Sequence, residues 1–252
     1  MRARLTEEWA IFLLAVQFLT RIPVSPDWSE ARMSATPRWY PAVGLLIGGI
    51  AGFVFWGAAQ VVPPLLAALL ATAAGVILTG AFHEDGFADC CDGLGGAVSR
   101  ERTLEIMRDS RLGTYGALGL GLLVAAKIAA LASLPAALVP WLLVAGHAAS
   151  RASSVLVIAT STYVRDHGTG KPIATGTDGL WLAWITGGLA CLPLALAGDA
   201  RLLLAGALGL ILGHIAMRRV FEKRLGGYTG DCLGAVQQTS EAGVYLAVLA
   251  VL

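Results

Sequence analysis

Six apolar runs decide what this chain can fold into. They fall near 40–62, 64–82, 114–134, 136–160, 178–198 and 201–217. A spanning helix needs roughly 17–25 such residues, so each run reads as a membrane crossing. Composition agrees: 14% of the 252 residues are charged, against about 25% in soluble domains, and the mean hydropathy is +0.71. The stretches 9–20 and 242–252 are apolar but too short to cross alone. Flanking residues extend them, or they lie in the membrane interface. The expected fold is an all-α, polytopic integral membrane helical bundle of about seven transmembrane helices. Its terminal segments are short or interfacial, and residues 1–252 form a single membrane-embedded domain.

The connections are of two kinds. Those at 62–64, 134–136 and 198–201 are tight turns; those at 21–39, 83–113, 161–177 and 218–240 are longer and polar. Counting crossings puts all four long connections on one side, where they carry 13 of the 18 Lys and Arg residues. The positive-inside rule makes that side cytoplasmic. Arg2 and Arg4 precede an apolar stretch with no small-residue cleavage site after it, so residues 9–20 read as retained structure. Cys90, Cys91, Cys191 and Cys232 form no CxxC pair, which suits a reducing compartment and argues against zinc. The net charge of +1 gives no case for a nucleic-acid partner. Many of the 31 glycines lie inside the spans, as close helix packing requires.

The chemistry concentrates on the polar side. In FHEDGFADCCDGLGG, 82–96, four carboxylates (Glu84, Asp85, Asp89, Asp92) follow an apolar run, and no Lys or Arg lies between Arg38 and Arg100. The i, i+4, i+7 spacing of Asp85, Asp89 and Asp92 puts them on one helix face. Crowded carboxylates call for a cation between them, and a hard divalent ion such as Mg²⁺ takes oxygen ligands and bridges to phosphates. Glu101, Glu105 and Asp109 would form a second acidic stripe, or ordinary helix-surface pairs with Arg102 and Arg108. In the run Arg108-Asp109-Ser110-Arg111-Leu112-Gly113-Thr114, the two arginines, two hydroxyls and glycine read as a phosphate grip, because guanidinium forks bind phosphate oxygens bidentately. In GGYTGDCLGA, 226–235, a tight loop presents Thr229 and Asp231, the latter able to complete a metal shell. Arg151, at i+4 from His147, either snorkels to the interface or turns inward to a phosphate or an acid. Lys127, mid-span, has the same two choices, and His83 and His214 read as structural.

Together QFLTRIPV (17–24), RWYPAVGLLIG (38–48), HEDGFADCCDGLGG (83–96), MRDSRLGTYG (107–116) and GGYTGDCLGA (226–235) resemble the cobalamin synthase family, the adenosylcobinamide-GDP ribazoletransferases. The resemblance runs from the first apolar segment to the last. Cys90 and Cys91 stand where the family holds other small residues, and the carboxylates are intact. It implies a Mg²⁺-dependent enzyme of a bacterial inner (cytoplasmic) membrane, its active site facing the cytoplasm. Such an enzyme joins adenosylcobinamide-GDP to α-ribazole, or its 5′-phosphate, and releases GMP. Glu84, Asp85, Asp89 and Asp92 would hold the metal. Arg108, Arg111, Ser110, Thr229 and Arg151 would hold substrate phosphate, and Asp109 and Asp231 would serve as further ligands or base. The lipid bilayer is the expected surrounding; docking of other cobalamin-pathway enzymes and homo-oligomers stay open.

Two other readings compete. A CDP-alcohol type phosphotransferase would share the Asp89-Cys90-Cys91-Asp92-Gly93 start, but no Ala-Arg follows that start here and the second aspartate pair is incomplete. An ion-coupled transporter would place its acids near the midplane with broken helices, whereas these acids cluster at the ends of spans.

Overall fold

The computed structural model describes residues 2–165, 171–174, 176, 178–197 and 200–252. Among them the secondary structure is helical, with one isolated backbone bridge between Tyr163 and Tyr228. Four helices are long and apolar enough to cross a membrane: Glu30–Ala58, Thr114–Ser133, Val139–Thr160 and Ala200–Leu225. A fifth crossing would be a bent pair, Pro64–Thr79 and Phe82–Gly96, meeting at 91°. The all-α polytopic bundle therefore stands, with four or five candidate spans against the seven or so expected.

Helices are numbered in chain order. α1 is Arg2–Leu19, α2 Glu30–Ala35 and α3 Tyr40–Ala58, with a 3₁₀ turn over Thr36–Trp39 between the last two. α4 is Pro64–Thr79, α5 Phe82–Gly96, α6 Arg100–Ile106, α7 Thr114–Ser133 and α8 Val139–Thr160. α9 is Lys171–Ala174, α10 Trp181–Leu189, α11 Leu192–Ala197, α12 Ala200–Leu225 and α13 Gly230–Leu249.

Three expectations change. The run 178–198 is not one helix but α10 followed by α11, because Pro193 has no N–H and its ring opposes the carbonyl four residues back. The connection 218–240 shrinks to a few residues: α12 carries its charged end to Leu225, and α13 starts at Gly230, so the last helix is far longer than its apolar tail. α1 is likewise longer than its apolar core. Its Glu7 and Glu8 meet Arg32 and Arg38 at 2.8 and 2.9 Å, while Arg21 N–H just beyond it donates to the Leu78 carbonyl at 2.7 Å. Both ends of α1 thus touch one side of the bundle, and it lies across that side. The turn at 198–201 and the connection 161–177 fall partly outside the described residues.

That side also gathers the other polar ends. Arg218 donates to Thr160 and Ser161 to Glu222; Arg224 donates to the Ala97 carbonyl and Arg100 to the Leu225 carbonyl. An apolar cluster holding Leu19, Tyr40, Phe87, Val155, Phe221 and Tyr228 underlies this face. A second, around Phe55, Leu131, Leu142, Val139, Leu202 and Val248, fills the opposite end.

Small residues bring the spans together. Gly44, Gly48 and Gly52 form a stripe on α3 against the backbone of α8. A Cβ at Gly48 would sit 2.6 Å from the Leu143 carbonyl oxygen and 2.8 Å from Val144 Cα, whereas one at Gly49 would meet nothing within 4 Å. Gly48→Leu is therefore expected to force the helices apart and cost at least about 1–3 kcal/mol. Gly49→Ala should leave thermal unfolding in detergent unchanged. Equal melting of the two variants would refute close α3–α8 packing.

Candidate active site

The site begins at the α4–α5 bend. Gly80 (φ 67°) and Ala81 (φ 60°) both take the left-handed conformation, which is easy for glycine and costly for alanine. Two such residues in succession turn α5 away from the line of α4. The expected helix over the acidic segment forms, and its face splits the four carboxylates. Asp85 is exposed, Asp89 and Asp92 are half-buried, and Glu84 points the other way into the protein. Gly86 and Gly234 let α5 and α13 touch backbone to backbone, with Gly86 against Asp231 and Gly234 against His83.

Thr229 caps α13, its hydroxyl accepting from Cys232 N–H at 3.4 Å and donating to Asp231 Oδ2 at 3.3 Å. The residues before it are pinned by a short backbone pairing: Tyr228 N–H donates to the Thr162 carbonyl, and Val164 N–H to the Tyr228 carbonyl. This pairing brings in a residue with no local signal. Arg165 Nη2 donates to Asp231 Oδ2 at 2.6 Å and to the Met107 carbonyl at 3.2 Å. The acids lacked a basic neighbour in sequence; the fold supplies one.

One guanidinium does not neutralise this group. Partial burial, then the charges of Asp231 and Asp85, push Asp89 up to about 7, with Arg165 opposing. Burial also raises Asp231, against the bonds from Arg165 and Thr229. Asp92 is held differently: its two oxygens accept from Gly113 and Gly116 N–H, both at 2.8 Å, at the start of α7. Among the described residues no three or more His, Cys, Asp or Glu side chains form a group that could by itself hold a metal ion. Mg²⁺ does not require one, since it keeps several waters and takes one or two carboxylates plus substrate phosphates. Asp85 and Asp89, with Asp231 already paired to Arg165, offer oxygen ligands only, and would hold such an ion together with water and substrate phosphates.

The 107–113 segment runs beside this cluster, tied by Met107 to Arg165 and by Gly113 to Asp92. Its own groups face solvent. Arg111 holds Asp109 through a fork at 2.5–3.1 Å, which keeps Asp109 down at about 2. Arg108 and Ser110 are exposed. The second acidic stripe does not form: α6 ends at Ile106, so Asp109 leaves the helix, and Glu105 pairs with Arg102 at 2.7 Å.

Beneath the face lies a polar layer. Lys127 Nζ sits 2.6 Å from Glu241 and 3.0 Å from Gln238 Oε1; His147 Nδ1 is 3.1 Å from the other Glu241 oxygen. Gln238 donates to Glu84 at 2.8 Å, and Gln237 to Glu241 at 2.6 Å. Arg151 is inward, 2% exposed, and donates to the His147 carbonyl at 2.9 Å. The layer surrounds a cavity of about 20 Å³, room for roughly one water. A larger cavity of about 100 Å³ lies outside it, lined by Asp231, Arg165, Ser154 and Tyr40. Arg151 and His83 border both cavities.

The structure therefore groups Asp85, Asp89, Asp92, Asp231 and Thr229, and sets Arg151 on the inner wall. It leaves Glu84 in the polar layer and Arg108, Asp109, Ser110 and Arg111 on the exposed rim. Sequence reasoning missed Arg165, Gln237, Gln238 and Glu241. The last three carried a signal: Gln237 and Glu241 lie at i, i+4 and Gln238 and Glu241 at i, i+3, running into an apolar tail.

Residues 11–249 match the family described as cobalamin-5-phosphate synthase. The adenosylcobinamide-GDP ribazoletransferase of Leptothrix cholodnii is 46% identical, over 98% of this chain and 98% of its own. That of Shewanella frigidimarina is 46% identical over 96% and 94%, and that of Vibrio parahaemolyticus 39% over 99% and 95%. No solved structure matches the chain.

Proposed function

The chain belongs to the cobalamin-5-phosphate synthase family, and from that premise we propose that it transfers the adenosylcobinamide phosphate of adenosylcobinamide-GDP to α-ribazole, or to α-ribazole 5′-phosphate. A ribazole hydroxyl oxygen forms the new bond to the phosphorus that carries cobinamide. The bridging P–O bond breaks, GMP leaves with that oxygen, and the hydroxyl proton passes to a carboxylate of the face. The whole of 1–252 acts as one catalytic domain in a bacterial inner membrane, with this face towards the cytoplasm, a reading that the Lys and Arg distribution supports.

The supporting observation is the meeting of Asp85 and Asp89 on α5 with Asp231 on α13, beside a cavity with two arginines in its wall. Bound Mg²⁺ would supply charge neutralisation between these carboxylates and the diphosphate. The protein's own groups do the rest, since catalysis of this kind is mostly positioning and electrostatics. Arg151 presents positive charge to phosphate oxygens inside the cavity, and Arg108 and Arg111 do so at the rim. Thr229 holds Asp231 in place through its hydroxyl.

Purified protein in liposomes, given adenosylcobinamide-GDP, α-ribazole and Mg²⁺, is expected to release GMP in step with a cobalamin product and to stop in EDTA. Folded protein that makes no such product would return the CDP-alcohol reading. Undiminished turnover in EDTA would remove the metal from the mechanism.

A further inference from the structure

Arg165 is the functional group that neither the motifs nor the comparisons assign. It contacts Asp231 with one nitrogen, Nη2, which also reaches the Met107 carbonyl. Its Nε is buried without a hydrogen-bond partner, although a guanidinium carries five donors in a rigid fork. A buried donor left unmet is costly, and this one belongs to a side chain that lines the 100 Å³ cavity together with Arg151 and Ser154. The backbone is fixed by the pairing of 162–164 with Tyr228, so side-chain rotation alone redirects the fork. A one-nitrogen contact to a carboxylate is also a weaker hold than the two-nitrogen fork that phosphate accepts.

We propose that Arg165 is a diphosphate-binding residue held in reserve. It offsets Asp231 while the acidic face is free of a divalent cation, and it turns its fork onto the substrate's diphosphate oxygens when a cation takes over Asp231. The assignment rests on the reading above for the identity of that diphosphate, and it adds a coupling that reading does not contain. The cation and the arginine compete for Asp231, so nucleotide binding and cation binding promote one another.

The test titrates purified protein with Mn²⁺ alone, read by electron paramagnetic resonance, then with adenosylcobinamide-GDP and separately with GDP at saturating Mn²⁺. Arg165→Gln removes the competing charge, so Mn²⁺ affinity is expected to rise about tenfold while affinity for both nucleotides falls about thirtyfold. Arg165→Lys keeps the charge and loses the fork. It should leave Mn²⁺ affinity at the wild-type level and still bind nucleotide weakly. Unchanged nucleotide affinity in Arg165→Gln would overturn the assignment. Falling Mn²⁺ affinity in that variant would also overturn it, by making Arg165 a mere prop for the Asp231 loop. Wild-type protein that follows both titrations yet forms no cobalamin product would sink the proposed reaction and leave the role of Arg165 standing.

Discussion

Asp89→Asn is expected to lower turnover by about a thousandfold, the loss typical when a group that stabilises transition-state charge is removed, without disturbing the fold. The side chain is half-buried on α5, and asparagine fills the same space while removing the negative charge that a cation would need. Burial and the charges of Asp231 and Asp85 already hold this carboxyl at about 7, so neutralising it relieves repulsion in metal-free protein. The sign of the accompanying pH effect follows. A carboxyl raised on folding keeps its proton in the native state over a range where the unfolded chain has lost it. Native protein then binds more protons, and its stability falls as pH rises from about 4 towards 7. In EDTA, wild-type protein should therefore melt lower at pH 7.5 than at pH 5.5, and Asp89→Asn should narrow the gap. Substantial activity in Asp89→Asn would move the chemistry elsewhere. An unchanged gap would place the charge strain on other carboxylates.

The parts of this site that were legible in sequence are those whose cause is local. Hydropathy locates the spans because each window answers to the bilayer alone. The spacing of Asp85, Asp89 and Asp92 marks a helix face because periodicity is a property of one helix. The one-sidedness of the polar connections follows from counting, and the contacts from α12 to α8 and α6 agree with it. What was not legible depends on partners distant in the chain. Arg165 sits in a polar connection and is chosen by backbone pairing with Tyr228, which no window contains. The start of α13 was read as a loop because Gln237, Gln238 and Glu241 spoil its hydropathy. Lys127, His147, Glu84 and Ser150, from α7, α8 and α5, satisfy those groups and let the helix run on. The same contacts divide Glu84 from Asp85, adjacent in sequence but assigned to different layers.

That buried layer carries the largest expected effect on stability. Lys127 lies about 20 Å along α7 from its start at Thr114, and His147 about as far back from the end of α8 at Thr160. The Lys127–Glu241 pair is thus at membrane depth, 6% and 1% exposed. Polar contacts between membrane helices are generally worth only about 0.6–2 kcal/mol, but a charge stripped of its partner at such depth has no water to turn to. Glu241→Ala would leave Lys127 with Gln238 alone among the contacts seen here, and is expected to cost about 3–5 kcal/mol. Lys127→Met strands Glu241 less completely, because His147 and Gln237 still reach it, so its cost should be smaller. The double variant Lys127→Met/Glu241→Ala removes both charges and should recover much of the loss. Unfolding of all three in one detergent closes the cycle. Strictly additive losses would mean that the two side chains do not act as a pair. A damaging Glu241→Ala rescued by the double variant would show the layer to be a charge-balanced strut between α7, α8 and α13. Because Gln238 and Arg151 belong to the same strut, its failure would also loosen the inner wall of the catalytic cavity, so activity should fall along with stability.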